Sequence, residues 1–246
     1  MRMPPELAER ARALVYGGDW TAPEPRPAST VVLLRDGVAG VEVALLQRAA
    51  NLGFARGMYV FPGGALDVAD AELGDPWLVA AVRETFEECG VLLTDPAPPA
   101  AAFADRERDF AGLLAEFGLK PNLAALHPFA HWVTPEVESR RFDTRFYLVP
   151  APVEQTSAHD DSETIDSLWV RPAEALTRQA AGELMMMPPT IKNLQFLSRF
   201  ASVHDAIEHA RTLPPPECVL PRIRRDGDGR IVGVAMPGDD DYESLA

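Results

Sequence analysis

Arg83-Glu84-Thr85-Phe86-Glu87-Glu88-Cys89-Gly90-Val91 stands a short way downstream of Phe61-Pro62-Gly63-Gly64, and these two stretches decide how the chain is read. On a helix advancing about 100° per residue, Glu84, Glu87 and Glu88 fall within roughly one third of the circumference, while Leu78, Val82, Phe86 and Cys89 gather on the opposite side. Three carboxylates therefore share one exposed face. Like charges three and four residues apart repel one another and give a helix nothing, so the cluster predicts a cation between them. Oxygen-only ligands select a hard cation, Mg²⁺ or Mn²⁺. Glu-rich helix faces are more often simply solvated, and what separates this one is its company. Gly63-Gly64 permits close approaches that a side chain would block, Gly90 is a natural helix stop, and Arg83 places a guanidinium where it can tie the helix to the glycine loop.

These residues resemble the signature of the Nudix hydrolases, G-x5-E-x7-R-E-U-x-E-E-x-G-U with U aliphatic. Arg83, Glu84, Glu87, Glu88, Gly90 and Val91 match its second half, Thr85 takes the first aliphatic slot and Gly64 matches the opening glycine. Asp70 stands where the family has its first glutamate, and the twelve residues between Asp70 and Arg83 are five more than the pattern allows. The insertion contains Gly74-Asp75-Pro76 and predicts a lengthened loop before a helix that begins near Trp77. Asp70 is thus either a ligand or a brace. The resemblance implies an α/β fold, a Nudix-type α/β/α sandwich with a mixed sheet. It also implies Mg²⁺ or Mn²⁺ held by Glu84, Glu87 and Glu88, with Gly64 and Asp70 as further candidates. Arg83 then braces loop and helix.

With 246 residues and 47% hydrophobic content, the chain is long enough for one sizeable core with appendages. No apolar run reaches membrane-span length and the N-terminus lacks a signal-peptide layout, which predicts a soluble cytoplasmic protein with no membrane partner. Cys89 and Cys218 lack metal-ligand spacing, and Cys89 reads as core packing. A net charge of −14 argues against a nucleic-acid partner, whereas a small phosphorylated substrate is compatible because a bound divalent cation reverses the local field. A homodimer is an assembly the sequence permits.

Residues 1–27 read as an N-terminal tail or clasp, 28–212 as the hydrolase domain and 213–246 as an extension. Periodicity predicts strands at Thr30–Leu34, Val41–Gln47, Tyr59–Phe61, Leu126–Val133, Arg141–Val149 and Ser167–Val170. Helices follow at Asp105–Phe117 (an insertion), Pro172–Ala180 and Pro189–Phe200, with a helical stretch to Arg211. The extension reads as a hairpin of Cys218–Arg224 and Arg230–Ala235, ending in a solvated acidic run, Asp239-Asp240-Asp241.

Three constellations bear on the substrate. Leu45-Leu46-Gln47-Arg48-Ala49, with Gly57 through Gly64, resembles the extra motif of coenzyme A diphosphatases, although Gly53 replaces a usual arginine. Arg48 and Arg56 there suit bidentate phosphate contacts, beside Gly63 and Gly64. His131-Trp132-Val133-Thr134-Pro135, followed by Arg140-Arg141-Phe142-Asp143-Thr144-Arg145-Phe146, together with F-P-G-G-x-x-D-x-x-D, resembles the acyl-coenzyme A diphosphatase branch and adds Arg140. His159-Asp160-Asp161-Ser162-Glu163 makes Glu163 a candidate ligand or general base. Hydrolysis of coenzyme A or an acyl-coenzyme A is the leading expectation. NADH, ADP-ribose or a nucleoside triphosphate is the second, and a non-catalytic ligand sensor the third.

Overall fold

The computed structural model describes residues 19–49, 57–106, 108–153, 155, 164–228 and 231–245. They fall into two compact units, one drawn from 28–130 and 145–216, the other from 19–27, 131–144 and 217–245. The stretch 131–144 is thereby grouped with the two terminal segments.

The larger unit is built on a sheet. Strand β1 (Arg26–Gly37) turns through Gly37 and Gly40 into β2 (Gly40–Arg48), antiparallel, with Leu34 opposite Val43. β3 (Tyr59–Val60) pairs with the same edge of β2 as β1 does, and β4 (Gly63–Ala65) returns along β1. A separate small ladder joins β5 (Thr94–Asp95) to β6 (Lys120–Pro121). β7 (His127–Val133) neighbours β8 (Phe142–Pro150), which neighbours β1, and β9 (Thr164–Val170) runs antiparallel to β2. The fold is mixed α/β with a large mixed sheet, as the sequence led us to expect.

Alternation explains why the sheet needs two covering layers. Val31, Leu33, Ala44 and Leu46 point to one face, Val32, Leu34, Val43 and Leu45 to the other, and all are buried. Helix α1 (Asp70–Leu73) and helix α2 (Pro76–Cys89) precede the first face, where Val79, Val82, Phe86 and Cys89 pack on Val31, Leu33, Ala44 and Leu46. Helix α3 (Phe110–Phe117) adds Phe110, Leu113 and Leu114 to that core. It starts five residues later than its apolar spacing suggests, because Asp109 caps it by accepting the Gly112 N–H. Phe86, with its ring 6.5 Å from that of Phe110, is fully enclosed, so its truncation to Ala removes about 3–5 kcal/mol. On the other side, α4 (Pro172–Ala180) packs on β2, and α5 (Pro188–Leu197) and α6 (Val203–Thr212) follow.

In the smaller unit the N-terminal segment is tied down. Arg26 N–H donates to Arg141 O, the Trp20 indole to Glu136 O, and the Arg141 guanidinium to Pro23 O and Thr134 O. Strand β10 (Cys218–Val219) pairs in parallel with His131–Trp132 rather than joining the terminal hairpin, which is β11 (Arg222–Arg225) with β12 (Ile231–Ala235). The acidic run is not merely a solvated tail. Arg224 donates to Asp239 at 2.6 Å and to both oxygens of Asp241 at 2.7 and 2.8 Å, because its position on β11 brings the chain end against it.

Candidate active site

The insertion before α2 is spent on a cap. Asp75 accepts the N–H groups of Trp77 and Leu78, Pro76 occupies the first turn, and Gly90 closes the far end at φ 69° with its N–H on Phe86 O. The helix begins at Pro76, one residue before the position expected. Its entry is fixed from the sheet, since the buried Ser29 hydroxyl donates to Trp77 O at 2.6 Å and the Arg145 guanidinium lies 3.8 Å above the Trp77 ring.

Opposite the helix, Gly63-Gly64 is a strand and not a loop. Gly63 lies at φ +156°, and a Cβ on it would meet Ser29 O at 2.3 Å. At Gly64 the obstacle is functional: a Cβ would sit 2.4 Å from the Glu84 carboxylate carbon. The glycines thus let backbone and carboxylate meet. Gly63 N–H donates to Glu88 Oε2 at 2.9 Å, which orients a glutamate that is otherwise buried. The Arg48 guanidinium reaches Glu88 Oε1 at 3.4 Å.

Arg48 is aimed by irregular pairing on both its flanks. Arg48 N–H bonds Met58 O while Gly57 N–H bonds Arg48 O, so two residues of the partner strand oppose one, with Gly57 at φ +66° as a bulge of this kind requires. On the other flank the β2–β9 register shifts between Gln47 and Arg48, which pairs with Thr164.

Arg83 organises the remaining acids. Its Nε and one terminal nitrogen hold both oxygens of Asp70 at 2.9 and 3.0 Å, and it donates to Glu84 at 2.8 Å, to Glu87 at 2.9 Å and to Ala65 O at 3.0 Å. Asp70 is only 2% exposed and also accepts Asp67 N–H. Of the two roles considered for Asp70, the geometry is that of a brace. Burial lowers the pKa of Arg83, but the hydrogen bond to Asp70 and the charges of Glu84 and Glu87 outweigh it and raise the value. Glu87 titrates above the usual carboxylate range: burial dominates, Arg83 opposes it, and Asp70 and Asp67 add to it. Asp67 is a residue that the sequence offered only as part of a longer motif, and Ser29 gave no signal at all.

Part of the cation that the clustered glutamates call for is Arg83 itself. The carboxylates of Asp70, Glu84, Glu87 and Glu88 thus gather around the guanidiniums of Arg83 and Arg48. Among the described residues no group of three or more His, Cys, Asp or Glu side chains is placed to hold a metal ion as it stands. The residues present still fit a divalent ion in the chemistry of their donors, hard carboxylate oxygens on one helix face, with Glu84 packed close against the Gly64 backbone.

The structure brings together Arg48, Gly63, Gly64, Asp70, Arg83, Glu84, Glu87 and Glu88. Arg140 lies exposed in the smaller unit. Arg56 and Glu163 lie outside the described residues. The thiol of Cys89 is pushed up to about 12 by burial and donates to Thr85 O, consistent with a packing role.

A sheet covered by helices on both faces, with the R-E-x-x-E-E helix held against a glycine strand, is the arrangement of a Nudix pyrophosphohydrolase, and the chain belongs to the Nudix hydrolase family. Within it, the model described as the NUDT19 Nudix domain matches residues 74–197, just over half of the chain. The human acyl-coenzyme A diphosphatase NUDT19 is 28% identical over an alignment of 324 positions, covering 98% of this chain and 82% of that protein. The putative nudix hydrolase 7 of Caenorhabditis elegans is 31% identical, covering 80% of this chain and 68% of that one. The crystal structure of a Nudix hydrolase from Alicyclobacillus acidocaldarius superposes with a TM-score of 0.70 at 31% identity, covering 80% of this chain and all of that one. Nudix hydrolases generally use divalent metal ions. Among the described residues no helix is long and apolar enough to cross a membrane.

Proposed function

We propose that this enzyme hydrolyses the diphosphate of coenzyme A or an acyl-coenzyme A, giving phosphopantetheine, acylated where the substrate is, and adenosine 3′,5′-bisphosphate. The observation that carries the reading is the Arg48–Glu88 pair, which sets a phosphate-competent cation of the coenzyme A-type motif against the acidic helix. The name of the human relative, acyl-coenzyme A diphosphatase, points to the same substrate class.

The chemistry needs negative phosphate oxygens neutralised while water attacks in line. Mg²⁺ or Mn²⁺ held by Glu84, Glu87 and Glu88, with Gly64 supplying a carbonyl, would neutralise that charge and lower the pKa of a bound water. The protein's own part is positional. Gly63 N–H fixes the Glu88 carboxylate, Arg83 holds Glu84 and Glu87 at one spacing, and Asp70 holds Arg83. The proton acceptor is a helix carboxylate or Glu163, and burial, by raising the proton affinity of Glu87, favours Glu87. Arg48 and Arg56 contact substrate phosphate, and Arg140 is a third candidate for the 3′-phosphate.

A substrate screen with each metal, scoring both products by mass, tests this. Coenzyme A derivatives are expected to turn over faster than NADH, ADP-ribose or nucleoside triphosphates. Faster turnover of ADP-ribose than of any coenzyme A derivative would overturn the substrate assignment while leaving the chemistry in place.

A further inference from the structure

The backbone beside the strand that pairs with Arg48 is lined with methionine. Residues 184–187 run beside β3: Tyr59 forms a parallel bridge with Met186, and Tyr59 N–H donates to Met185 O at 2.8 Å. Paired residues on neighbouring strands share a face, and successive residues alternate. Leu184 and Met186 are buried with Tyr59 on the face away from α2, so Met185 and Met187 lie on the other face. That is the face of Val60, which is in register with Leu46 of the α2-side core, and of Met58, which opposes Arg48 across the bulge. Met58, Val60, Met185 and Met187 therefore form one apolar shelf on the side of the sheet that carries the acidic helix. Met185 is 56% exposed, and its Cε lies 3.7 Å from where a Cβ on Gly57 would stand.

Two features say what such a shelf is for. It is continuous with the diphosphate site, since Gly57 and Met58 bond the backbone of Arg48, whose guanidinium holds Glu88. It also extends sideways by two strand spacings from Arg48, about 10 Å, so a ligand whose phosphates sit at Glu88 passes over it only with a long arm. Unbranched thioether side chains adapt to apolar groups of varied shape, which suits a ligand of variable length better than a rigid pocket does.

We propose that Met58, Val60, Met185 and Met187 are a specificity surface for the thioester-bearing arm of the substrate, with Met185 its most accessible contact. The proposal rests on the coenzyme A reading above. It makes the enzyme prefer apolar acyl chains and tolerate a range of lengths.

The test uses the full chain with saturating Mg²⁺ and measures kcat/KM for ADP-ribose, coenzyme A, acetyl-, hexanoyl- and lauroyl-coenzyme A. Wild type should rise from coenzyme A to the longer acyl derivatives. Met185→Ser should lower kcat/KM for lauroyl-coenzyme A by roughly tenfold while changing coenzyme A far less, since deleting apolar contacts penalises only the ligand that used them. Met185→Leu should restore the preference, which separates contact from folding. Val38→Ser, at another exposed apolar position, serves as the control and should leave the chain-length profile as it is. Equal losses on coenzyme A and lauroyl-coenzyme A, or an unchanged profile in Met185→Ser, would overturn the shelf while the substrate class stands. Hydrolysis of ADP-ribose with no turnover of any coenzyme A derivative would overturn the substrate class and the shelf with it.

Discussion

Two arginines in this protein each gather several acids, and they differ in what surrounds them. Arg83 is largely buried and holds Asp70, Glu84 and Glu87; Arg224, in the smaller unit, holds Asp239 and Asp241 in solvent. Both have raised pKa values, Arg83 against the pull of burial and Arg224 chiefly through its hydrogen bond to Asp241. Around Arg224, two carboxylates whose pKa values its hydrogen bonds help lower complete an arrangement that water screens. Around Arg83 three carboxylates crowd one guanidinium in a partly buried setting, and one of them, Glu87, is made more basic by burial. The lesson is that a cluster of ion pairs becomes a candidate site where burial shields it from water and perturbs the proton affinity of one of its members.

The sharpest break of that contrast lies on the acidic side of Arg83. Glu87→Gln and Glu88→Gln should each lower kcat by at least about a hundredfold at saturating metal with the fold retained, and Glu84→Gln nearly as much. Near-normal steady-state turnover in all three would reduce the Arg83 cluster to the same structural standing as Arg224.

Next comes the brace. Arg83→Ala leaves Asp70 charged and enclosed, which should cost about 3–5 kcal/mol in urea unfolding. Asp70→Asn keeps one acceptor and should cost about 1–3 kcal/mol, with a smaller fall in kcat than any helix glutamate change. If Asp70→Asn instead matches Glu87→Gln in activity, Asp70 acts as a ligand and its bidentate grip on Arg83 belongs only to the metal-free state.

A subtler test uses pH. The folded pKa of Glu87 lies above its unfolded value, so its contribution to stability is present at low pH and is lost as pH rises through the folded pKa. Metal-free Glu87→Gln should therefore melt above wild type at neutral pH, with the gap closing as pH falls toward about 4. Added Mg²⁺ should reverse the order, because only wild type binds it well. A gap that is constant in pH would show that Arg83 fully compensates Glu87. The smallest effect is expected at the other arginine: Arg224→Ala should leave kcat unchanged and move the melting temperature little. A loss of activity there comparable to Arg83→Ala would erase the distinction.

What the sequence disclosed divides along the same physical lines. The α2 glutamates were legible because a 3.6-residue period places them without reference to the rest of the fold, and Arg83 because it precedes Glu84. The Gly63–Ala65 strand was hidden, since glycine disfavours strands and only the crowding by Ser29 and Glu84 explains its use there. The grip of Arg48 on Glu88 spans forty residues of chain, a distance no local pattern encodes. Clustered acids suggested a metal alone, whereas a neighbouring guanidinium supplies part of the balancing charge. The terminal acids looked solvated because their partner, Arg224, stands well before them in the chain.

The paired irregularities at Arg48 have a consequence for how the enzyme can change over evolutionary time. A strand that slips by one residue sends every side chain to the wrong face, and register shifts on both flanks of Arg48 pin it against such slippage. Lengthening or shortening the chain on either side, between Ala49 and Gly57 or before Thr164, then need not disturb the aim of the guanidinium.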